Sequence, residues 1–403
     1  MALSVGAATA AWRAALTAAG CPDAVGVESV AVEEAAGRVL AGPVRARLSV
    51  PAVPSAAMDG IAVLAADTAA SVVPAGRSTV VDTGDPLPPG CDAVVPREHL
   101  RRRPDGTVRL REPARGGQHV RRVGESVLAD AELVPAGRVL RPADLAAAAA
   151  GGHRALDVRR RPVVGIVPTG DEVRCLGTDL APGELLDTNS LMLAATLREL
   201  GCVVRVTPIQ PDDPARIAAA VGSSCRGGAD LVLVLAGSSA GRDDHTAAVL
   251  RGLGAVVVQG VAVRPAHPVL LGVVHGGPPV IGVPGYPVSA ALAVELFAVP
   301  LLADLQRRLP ASPRTVEARL PCAVPGRPDT EEHVLVTLPG DGTARPLERR
   351  AGAQTALARA DAVLRIDTGC GGFDAGQVVT VHLLDGPGWA GVVAGRDGCR
   401  AAG

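Results

Sequence analysis

Apolar runs alternate with helical patterns between residues 161 and 305, and this alternation predicts a doubly wound α/β domain. Strands are expected at 163–167, 202–206, 231–235, near 256–263 and 268–274, and at 279–283. The run Leu231–Leu235 (LVLVL) has no polar alternation, which is typical of a strand that is buried on both faces. Helices are expected from Asn189 to Leu200, after the Asp212-Asp213-Pro214 turn, and from the 284–287 loop to about Leu305.

Different patterns lie on both sides of this domain. Residues 7–40 carry two helical patterns, 43–139 carry short β runs between Pro and Gly residues, and 142–151 return to a helix. Short strands in 314–385 predict a small β-barrel. The predicted regions are a helical linker region (1–45 and 140–160), an inserted β-rich domain (46–139), the α/β domain (161–308), a C-terminal β-barrel (312–386) and a tail (387–403).

Three loops follow predicted strands at what should be one edge of the α/β sheet. They are 169–172 (TGDE), 238–244 (SSAGRDD) and 284–287 (PGYP). Ligands of such sheets bind beyond the carboxyl ends of the strands, near a switch in strand order, so the loops should converge on one pocket. The small residues of the second loop precede a helix that Asp243 or Asp244 would cap. A loop of this kind at the N-terminus of a helix favours the binding of an anion. The adjacent carboxylates disfavour an anion unless a cation lies between them.

Composition excludes several classes of protein. The 403 residues carry a net charge of -1, which gives no argument for nucleic-acid or membrane-surface binding. All 40 basic residues are Arg, so a P-loop lysine and a Schiff-base lysine are excluded. The eight Cys form no CxxC pair, and the His residues lack zinc-ligand spacing. With no signal-peptide pattern and no apolar run of the roughly 20 residues that a membrane span needs, a cytoplasmic protein is expected.

Five motifs occur in one order: 54–60 (PSAAMDG), 83–95 (TGDPLPPGCDAVV), TGDE with 186–189 (LDTN), 237–246 (GSSAGRDDHT) and 283–289 (VPGYPVS). In order and spacing they resemble the molybdopterin molybdenumtransferase family, of the MoeA and gephyrin-E type. The resemblance implies a MoaB/MogA-like molybdopterin-binding α/β domain. It also implies a homodimeric enzyme that takes adenylyl-molybdopterin and molybdate, cleaves the adenylate with Mg²⁺, and releases molybdenum cofactor and AMP. The site would lie between the α/β domain of one subunit and the β-rich domain of the other.

The same resemblance assigns residues to this reaction. Asp59 would lie at the molybdate side, while Glu172, Asp212 and Asp244 would line the pocket of the α/β domain; these four are the expected catalytic and metal-binding residues. The expected substrate-binding residues are Thr169, Gly170, Asp171, Asn189, Gly237, Ser238, Ser239, Gly241, Pro284, Gly285, Pro287 and Ser289.

Charge considerations lead to a similar hypothesis without the family. Molybdate and a phosphoanhydride repel each other unless a divalent ion bridges them, and Mg²⁺ prefers carboxylates, waters and phosphate oxygens. Glu172, Asp212 or Asp213, Asp243 or Asp244, and Asp59 could supply the carboxylates. Each also has a purely structural interpretation, because Asp caps helices and forms Asx turns.

Some segments leave alternatives open. Gln118, Arg121, Arg122, Gly124 and Glu125 resemble a further family segment, whose role could be a dimer contact, anion steering or surface. The family's GGVSVG loop is AGSSAG here, its PGNPVS is PGYPVS with Tyr286, and a Lys of many members is replaced by His267. Which oxyanion or pterin form is preferred therefore stays open. Rival functions are a molybdopterin adenylyltransferase and a non-catalytic pterin-binding scaffold. Expected protein contacts are an upstream adenylyltransferase and recipient molybdoenzymes.

Overall fold

The computed structural model describes residues 2–235, 245–310 and 312–384, and the chain divides into two units. The first unit comprises Met1–Val27 and Arg159–Gly403, and the second comprises Glu28–Val158. The chain therefore leaves the first unit after its N-terminal segment and re-enters it at Arg159.

The N-terminal helix α1 (Val5–Ala18) belongs to the first unit because it packs against the α/β sheet of that unit. Its N-cap is Ser4, whose hydroxyl oxygen accepts a hydrogen bond from the Ala7 N–H. The buried face carries Trp12, whose indole N–H donates to the carbonyl of Gly272 at 2.8 Å. That carbonyl lies in a strand of the α/β sheet, so α1 is held to the sheet by apolar burial and by one buried hydrogen bond.

The second unit consists mainly of short strands, in agreement with its Pro- and Gly-rich pattern. The strands, including those at its two edges, are β1 (Val27–Ala31), β2 (Val44–Arg45), β3 (Ser55–Ala56), β4 (Gly60–Val63), β5 (Val72–Val73), β6 (Ser78–Val81), β7 (Ala93–Pro96), β8 (Leu100–Arg102), β9 (Val108–Leu110), β10 (Val120–Arg121), β11 (Glu132–Val134) and β12 (Ala155–Arg159). β4 pairs antiparallel with β6 and β7, and β9 pairs with β5 and β8. Helix α2 (Pro142–Ala150) lies where the sequence predicts it.

The second helical pattern in 7–40 was a wrong prediction. Val27–Ala31 is strand β1, which pairs with β12, and only Val32–Glu34 forms a short 3₁₀ turn. The segment is rich in Val, a β-branched residue that suits a pleated strand. A strand partner more than 120 residues away in the chain thus overrides a local helical periodicity.

The α/β domain has the predicted alternation of strands and helices. Its strands are β13 (Val163–Pro168), β14 (Val173–Arg174), β15 (Leu185–Leu186), β16 (Val203–Val206), β17 (Leu231–Leu235), β18 (Gly254–Gln259), β19 (Val263–Arg264), β20 (Leu270–Val274) and β21 (Pro279–Val283). Its helices are α3 (Thr188–Glu199), α4 (Pro214–Arg226), α5 (His245–Leu253), α6 (Pro287–Ala293) and α7 (Val299–Leu305), the last two joined by a π-helical turn, Val294–Ala298. The sheet order is β16-β13-β17-β21-β20-β18, and β16, β13, β17 and β21 run parallel.

Both faces of this sheet are covered, which explains the continuous apolar run of β17. Leu231, Leu233 and Leu235 face the cluster that holds Trp12, α3 and α6–α7. Val232 and Val234 face the opposite cluster, formed with α4 and α5. All five residues of the strand are therefore buried, as predicted.

The sequence analysis predicted that no apolar segment approaches the length of a membrane span, and the long helix that begins at Pro287 shows that this prediction was wrong. Pro287–Leu305 is 19 residues long and apolar enough for one, but 78% of its 18-residue window is buried inside the protein. Its apolar residues are accounted for by core packing against the sheet.

The C-terminal region forms a small barrel-like sheet. Its elements are β22 (Thr315–Arg319), β23 (Val324–Pro325), β24 (Glu331–Thr337), β25 (Arg345–Pro346), α8 (Gln354–Arg359), β26 (Ala362–Ile366), β27 (Gly372–Phe373) and β28 (Val378–Leu383). The order β24-β26-β28-β22 continues through a bridge between Arg319 and Thr343 to β25, which pairs with β24 again. β19 also joins this sheet, because it pairs with β24. The sequence analysis instead expected Val263 to end a strand of the α/β domain.

Candidate active site

The candidate site begins at the switch in strand order of the α/β sheet. β13 lies between β16 and β17, so the connections that follow β13 and β17 lead in opposite directions. Thr169 follows β13, and both its backbone N–H and its hydroxyl donate to the carbonyl of Leu235, at 3.0 and 2.9 Å. Buried Thr169 thus joins the carboxyl ends of the two strands where such sheets bind their ligands.

The TGDE loop bends sharply at Gly170. Its φ is +138°, a conformation that L side chains rarely adopt. A methyl group added there would lie 2.6 Å from Val173 Cγ2 and 2.9 Å from Glu172 Oε2. Gly170 therefore lets the Glu172 carboxylate fold back along the loop.

Two aspartates of the predicted site accept hydrogen bonds from each other's backbone beside this bend. The N–H of Asp171 donates to Asp212 Oδ2 at 3.3 Å, and the N–H of Asp212 donates to Asp171 Oδ1 at 3.2 Å. The neighbouring Asp213 instead caps α4, because its Oδ1 accepts from the N–H groups of Ala215 and Arg216. The geometry thus distinguishes the two candidate metal ligands. Asp212 contacts the TGDE loop, and Asp213 caps α4.

A cavity of about 460 Å³ opens beside these strand ends. Thr169 and Glu172 of the first loop and Gly285, Tyr286 and Pro287 of the third line it, so these two loops converge as predicted. The other lining residues are Pro168, Val173, Leu180, Leu185, Leu186, Asp187, Thr188, Asn189, Leu235, Gly352 and Gln354. The last two come from the C-terminal region, which the sequence did not predict.

Asn189 contributes an amide side chain to this wall. Its Nδ2 donates to the carbonyl of Gly285 at 2.7 Å, which links α3 to the PGYP loop. Its Oδ1 is buried and has no hydrogen-bond partner among the residues that the structure describes. A buried acceptor without a donor is unfavourable, so a ligand N–H at this position would be stabilised. Asp187 beside it caps α3 by accepting from the Ser190 N–H.

Part of the predicted site lies outside the described residues. This applies to Gly237, Ser238, Ser239, Gly241, Asp243 and Asp244. Among the residues that the structure describes, no group of three or more His, Cys, Asp or Glu side chains could hold a metal ion.

A second cavity of about 570 Å³ lies between the α/β domain and the C-terminal sheet. Its charged lining residues are Arg264, Arg327, Arg349, Arg350, Glu332 and Glu348, together with His267 and His333. Arg349 pairs with Glu332, and Arg350 pairs with Glu348 at 2.8 Å. Within the described parts of the chain, neither Arg264 nor Arg327 has an ion-pair partner, which leaves two uncompensated positive charges.

Sequence reasoning missed this cationic cavity, although it named three of its lining residues, His267, Tyr286 and Ser289. His267 lies at its rim, with Nδ1 2.6 Å from the carbonyl of Val261. Pro284 follows β21 directly, and buried Ser289 lines the second cavity, not the first. The signal that could have indicated the cavity is the set of arginines in two loop segments, Arg327 and the Arg349-Arg350 pair.

In the second unit, two of the motifs meet around Asp59. Asp59 Oδ1 accepts from the N–H and the hydroxyl of Thr83, both at 2.8 Å, and these hydrogen bonds lower the pKa of the exposed carboxyl. The following Gly60 is required by close approach, since a methyl group there would lie 2.0 Å from the Val95 carbonyl oxygen. The MDG and TGDP motifs are therefore one structural unit.

The 116–126 segment lies against the same loop. β10 pairs with β3 in the register Val120 to Ala56, and the Ala57 N–H donates to the carbonyl of His119. Half-buried Arg121 contacts Glu125 at 3.4 Å, while the exposed Arg122 donates its backbone N–H to the same carboxylate at 3.1 Å. This segment thus supports the loop that carries Asp59.

Comparison with known proteins agrees with this arrangement between residues 3 and 384. Family models match residues 3–152 (MoeA N-terminal region, domain I and II), 165–304 (probable molybdopterin binding domain) and 317–384 (MoeA C-terminal region, domain IV). Molybdopterin molybdenumtransferase 2 of Mycobacterium tuberculosis is 36% identical over 306 residues, which cover 68% of this chain and 74% of the relative. This chain belongs to the MoeA family.

Other MoeA family members extend the comparison. Molybdopterin molybdenumtransferase of Haemophilus influenzae is 31% identical over 296 residues, covering 69% of this chain and 73% of the relative. A molybdopterin biosynthesis MoeA protein structure from Pyrococcus horikoshii has a TM-score of 0.83 at 29% identity, with 96% of this chain and 100% of that chain covered. The predicted α/β domain with an inserted β-rich region and a C-terminal β domain is confirmed as the architecture of this family. The residue boundaries of the predicted regions stay predictions.

Proposed function

We propose that this chain is the molybdenum insertase of molybdenum cofactor biosynthesis, which inserts molybdate into adenylyl-molybdopterin and releases AMP. The observation that carries the proposal is the pair of adjoining cavities in the first unit. One lies at the switch point of a molybdopterin-binding domain, and the other has a surplus of positive charge.

The first cavity suits the pterin. Its volume of about 460 Å³ falls in the usual range for small-molecule sites, roughly 300–1,000 Å³. Leu180, Leu185 and Leu186 give it an apolar wall, and the buried Asn189 Oδ1 offers an acceptor to an N–H group of a heterocycle. Thr169, Gly170, Asp171, Pro284, Gly285 and Pro287 form or adjoin the strand ends at its mouth and are assigned to the same substrate.

The second cavity suits the oxyanion. Four guanidinium groups face two carboxylates there, so the surplus of two positive charges matches the charge of a dianion such as molybdate. Guanidinium groups bind tetrahedral oxyanions through paired N–H donors. The half-exposed Tyr286 belongs to both cavity walls, so the two substrates would meet beside it.

The carboxylates around Gly170 fit a Mg²⁺ site of the type in which the substrate completes the shell. Mg²⁺ commonly takes one or two protein carboxylates, with phosphate oxygens and waters as its other ligands. Asp212 and Asp171 are already side by side, and Glu172 lines the adjoining cavity. Bound Mg²⁺ would polarise the phosphoryl group. Asp244 keeps its predicted role as a further ligand, and Asp59 keeps its role at the molybdate side.

The functional context follows from the same proposal. The enzyme would act in the cytoplasm as a homodimer, take its substrate from an upstream adenylyltransferase and deliver its product to recipient molybdoenzymes. Each of these is a prediction that accompanies the activity.

The activity is tested by incubating the purified protein with adenylyl-molybdopterin, Mg²⁺ and molybdate and measuring AMP by chromatography. AMP release that depends on molybdate, without ATP, is expected. ATP consumption with free molybdopterin would indicate an adenylyltransferase instead, and tight pterin binding without AMP would indicate a scaffold.

The residue assignments are tested in the same assay. Asp59→Ala and Glu172→Ala are each expected to suppress AMP release with the fold intact. Asp105→Ala is a matched control for Asp59, because Asp105 accepts from the N–H and hydroxyl of Thr107 in the same way, at 2.9 and 2.7 Å. Glu199→Ala, at an exposed position of α3, is the control for Glu172. Unchanged turnover in both site variants would refute the assignments.

A further inference from the structure

Tyr286 occupies a special position between the two cavities. It is the single tyrosine of the chain and the N-cap residue of α6, with φ -73° and ψ 130°. Of the residues that the structure describes, it alone lines both the 460 Å³ and the 570 Å³ cavity. A ligand group at the junction of the two cavities would therefore lie beside Tyr286.

The phenol is chemically suited to an anion. It carries one O–H donor, and no described residue accepts a hydrogen bond from it. The side chain is 48% exposed, so the hydroxyl is solvated until a ligand displaces the water. Arg264 and Arg327 line the second cavity together with Tyr286, and neither has an ion-pair partner among the described residues. Both guanidinium groups are therefore available to bind an oxyanion in this cavity.

The ring is also in contact with the C-terminal region. The N–H of Val288 donates to the carbonyl of Ala351 at 3.1 Å, which holds the 348–354 segment against the start of α6. Gly352 lies directly against the ring: a methyl group added there would lie 3.3 Å from Tyr286 Cδ1 and 3.6 Å from Cε1. The absence of a side chain at Gly352 thus sets where the phenol can lie.

We propose that the Tyr286 hydroxyl donates a hydrogen bond to molybdate at the junction of the two cavities, and that Gly352 positions the ring for this contact. The inference rests on the proposed insertase function and adds an oxyanion-binding residue to it. Tyr286 would hold the oxyanion at the point where the pterin cavity begins.

The direct test is Tyr286→Phe, which removes only the hydroxyl. Loss of one hydrogen bond to a charged ligand should raise the KM for molybdate roughly 10- to 100-fold. The KM for adenylyl-molybdopterin and the unfolding midpoint should stay unchanged, since packing of the ring is kept. A wild-type enzyme that releases AMP together with a variant of unchanged molybdate KM would overturn the inference alone. A wild-type protein without AMP release would overturn the proposed function as well.

A second variant tests the positioning independently of the tyrosine. Gly352→Ala should raise the molybdate KM because the ring must shift by a few tenths of an ångström. In the Tyr286→Phe background the same change should have little further effect, since no hydroxyl is left to misplace. Gly371→Ala is the control, because a methyl group there meets nothing within 4 Å. Full additivity of Gly352→Ala and Tyr286→Phe would contradict the positioning role.

Discussion

Gly170→Ala should damage both the stability and the activity of this enzyme. At φ +138° a non-glycine residue costs about 1–3 kcal/mol. The added methyl group would also lie 2.6 Å from Val173 Cγ2, about 1 Å inside an ordinary carbon–carbon contact, and such overpacking costs about 1–3 kcal/mol more. The expected loss of unfolding free energy is therefore about 2–6 kcal/mol.

The activity should fall because the same methyl group lies 2.9 Å from Glu172 Oε2. The carboxylate has to move, and a misplacement of about 1 Å in a site can cost on the order of 100-fold in rate. Urea unfolding measures the first effect, and molybdate-dependent AMP release measures the second.

Gly177→Ala is the matched control, in the connection between β14 and β15. Its φ is +85° and a methyl group there meets nothing within 4 Å, so only a backbone cost of about 1–2 kcal/mol is expected, with normal turnover. If Gly170→Ala matched this control in both stability and AMP release, the role given to the TGDE bend would be wrong.

Two further predictions concern the supports of the site. Trp12→Phe should lower the unfolding free energy in urea by about 1–3 kcal/mol, because the buried Gly272 carbonyl loses its donor; an unchanged midpoint would contradict the anchoring of α1. The guanidinium groups of Arg141 and Arg138 and the Arg141 N–H hold the pKa of the buried Asp144 carboxyl far below its ordinary value. Its stabilising effect should thus be complete above about pH 4 and be lost as the pH falls further. Asp144→Asn should cost about 2–3 kcal/mol at pH 7 and flatten that acid dependence in hydrogen-exchange measurements of α2.

The sequence by itself determined the features that depend on residues close together in the chain. Asp187 and Asp213 are helix caps because each carboxylate bonds to N–H groups two or three residues ahead. The buried strand Leu231–Leu235 could be predicted because an unbroken apolar run has few other stable environments. The convergence of the TGDE and PGYP loops followed from the general geometry of parallel sheets.

The tertiary structure alone decided which distant segments meet. Val27–Ala31 became a strand because it pairs with β12, and Val263–Arg264 joined the C-terminal sheet by pairing with β24. Arg264, Arg327 and Arg349 are far apart in the chain, and only the packing of the C-terminal sheet on the α/β domain brings them into one cavity. Capping and periodicity are local interactions that a sequence displays directly, whereas cavities arise from contacts between surfaces whose pairing no local pattern records.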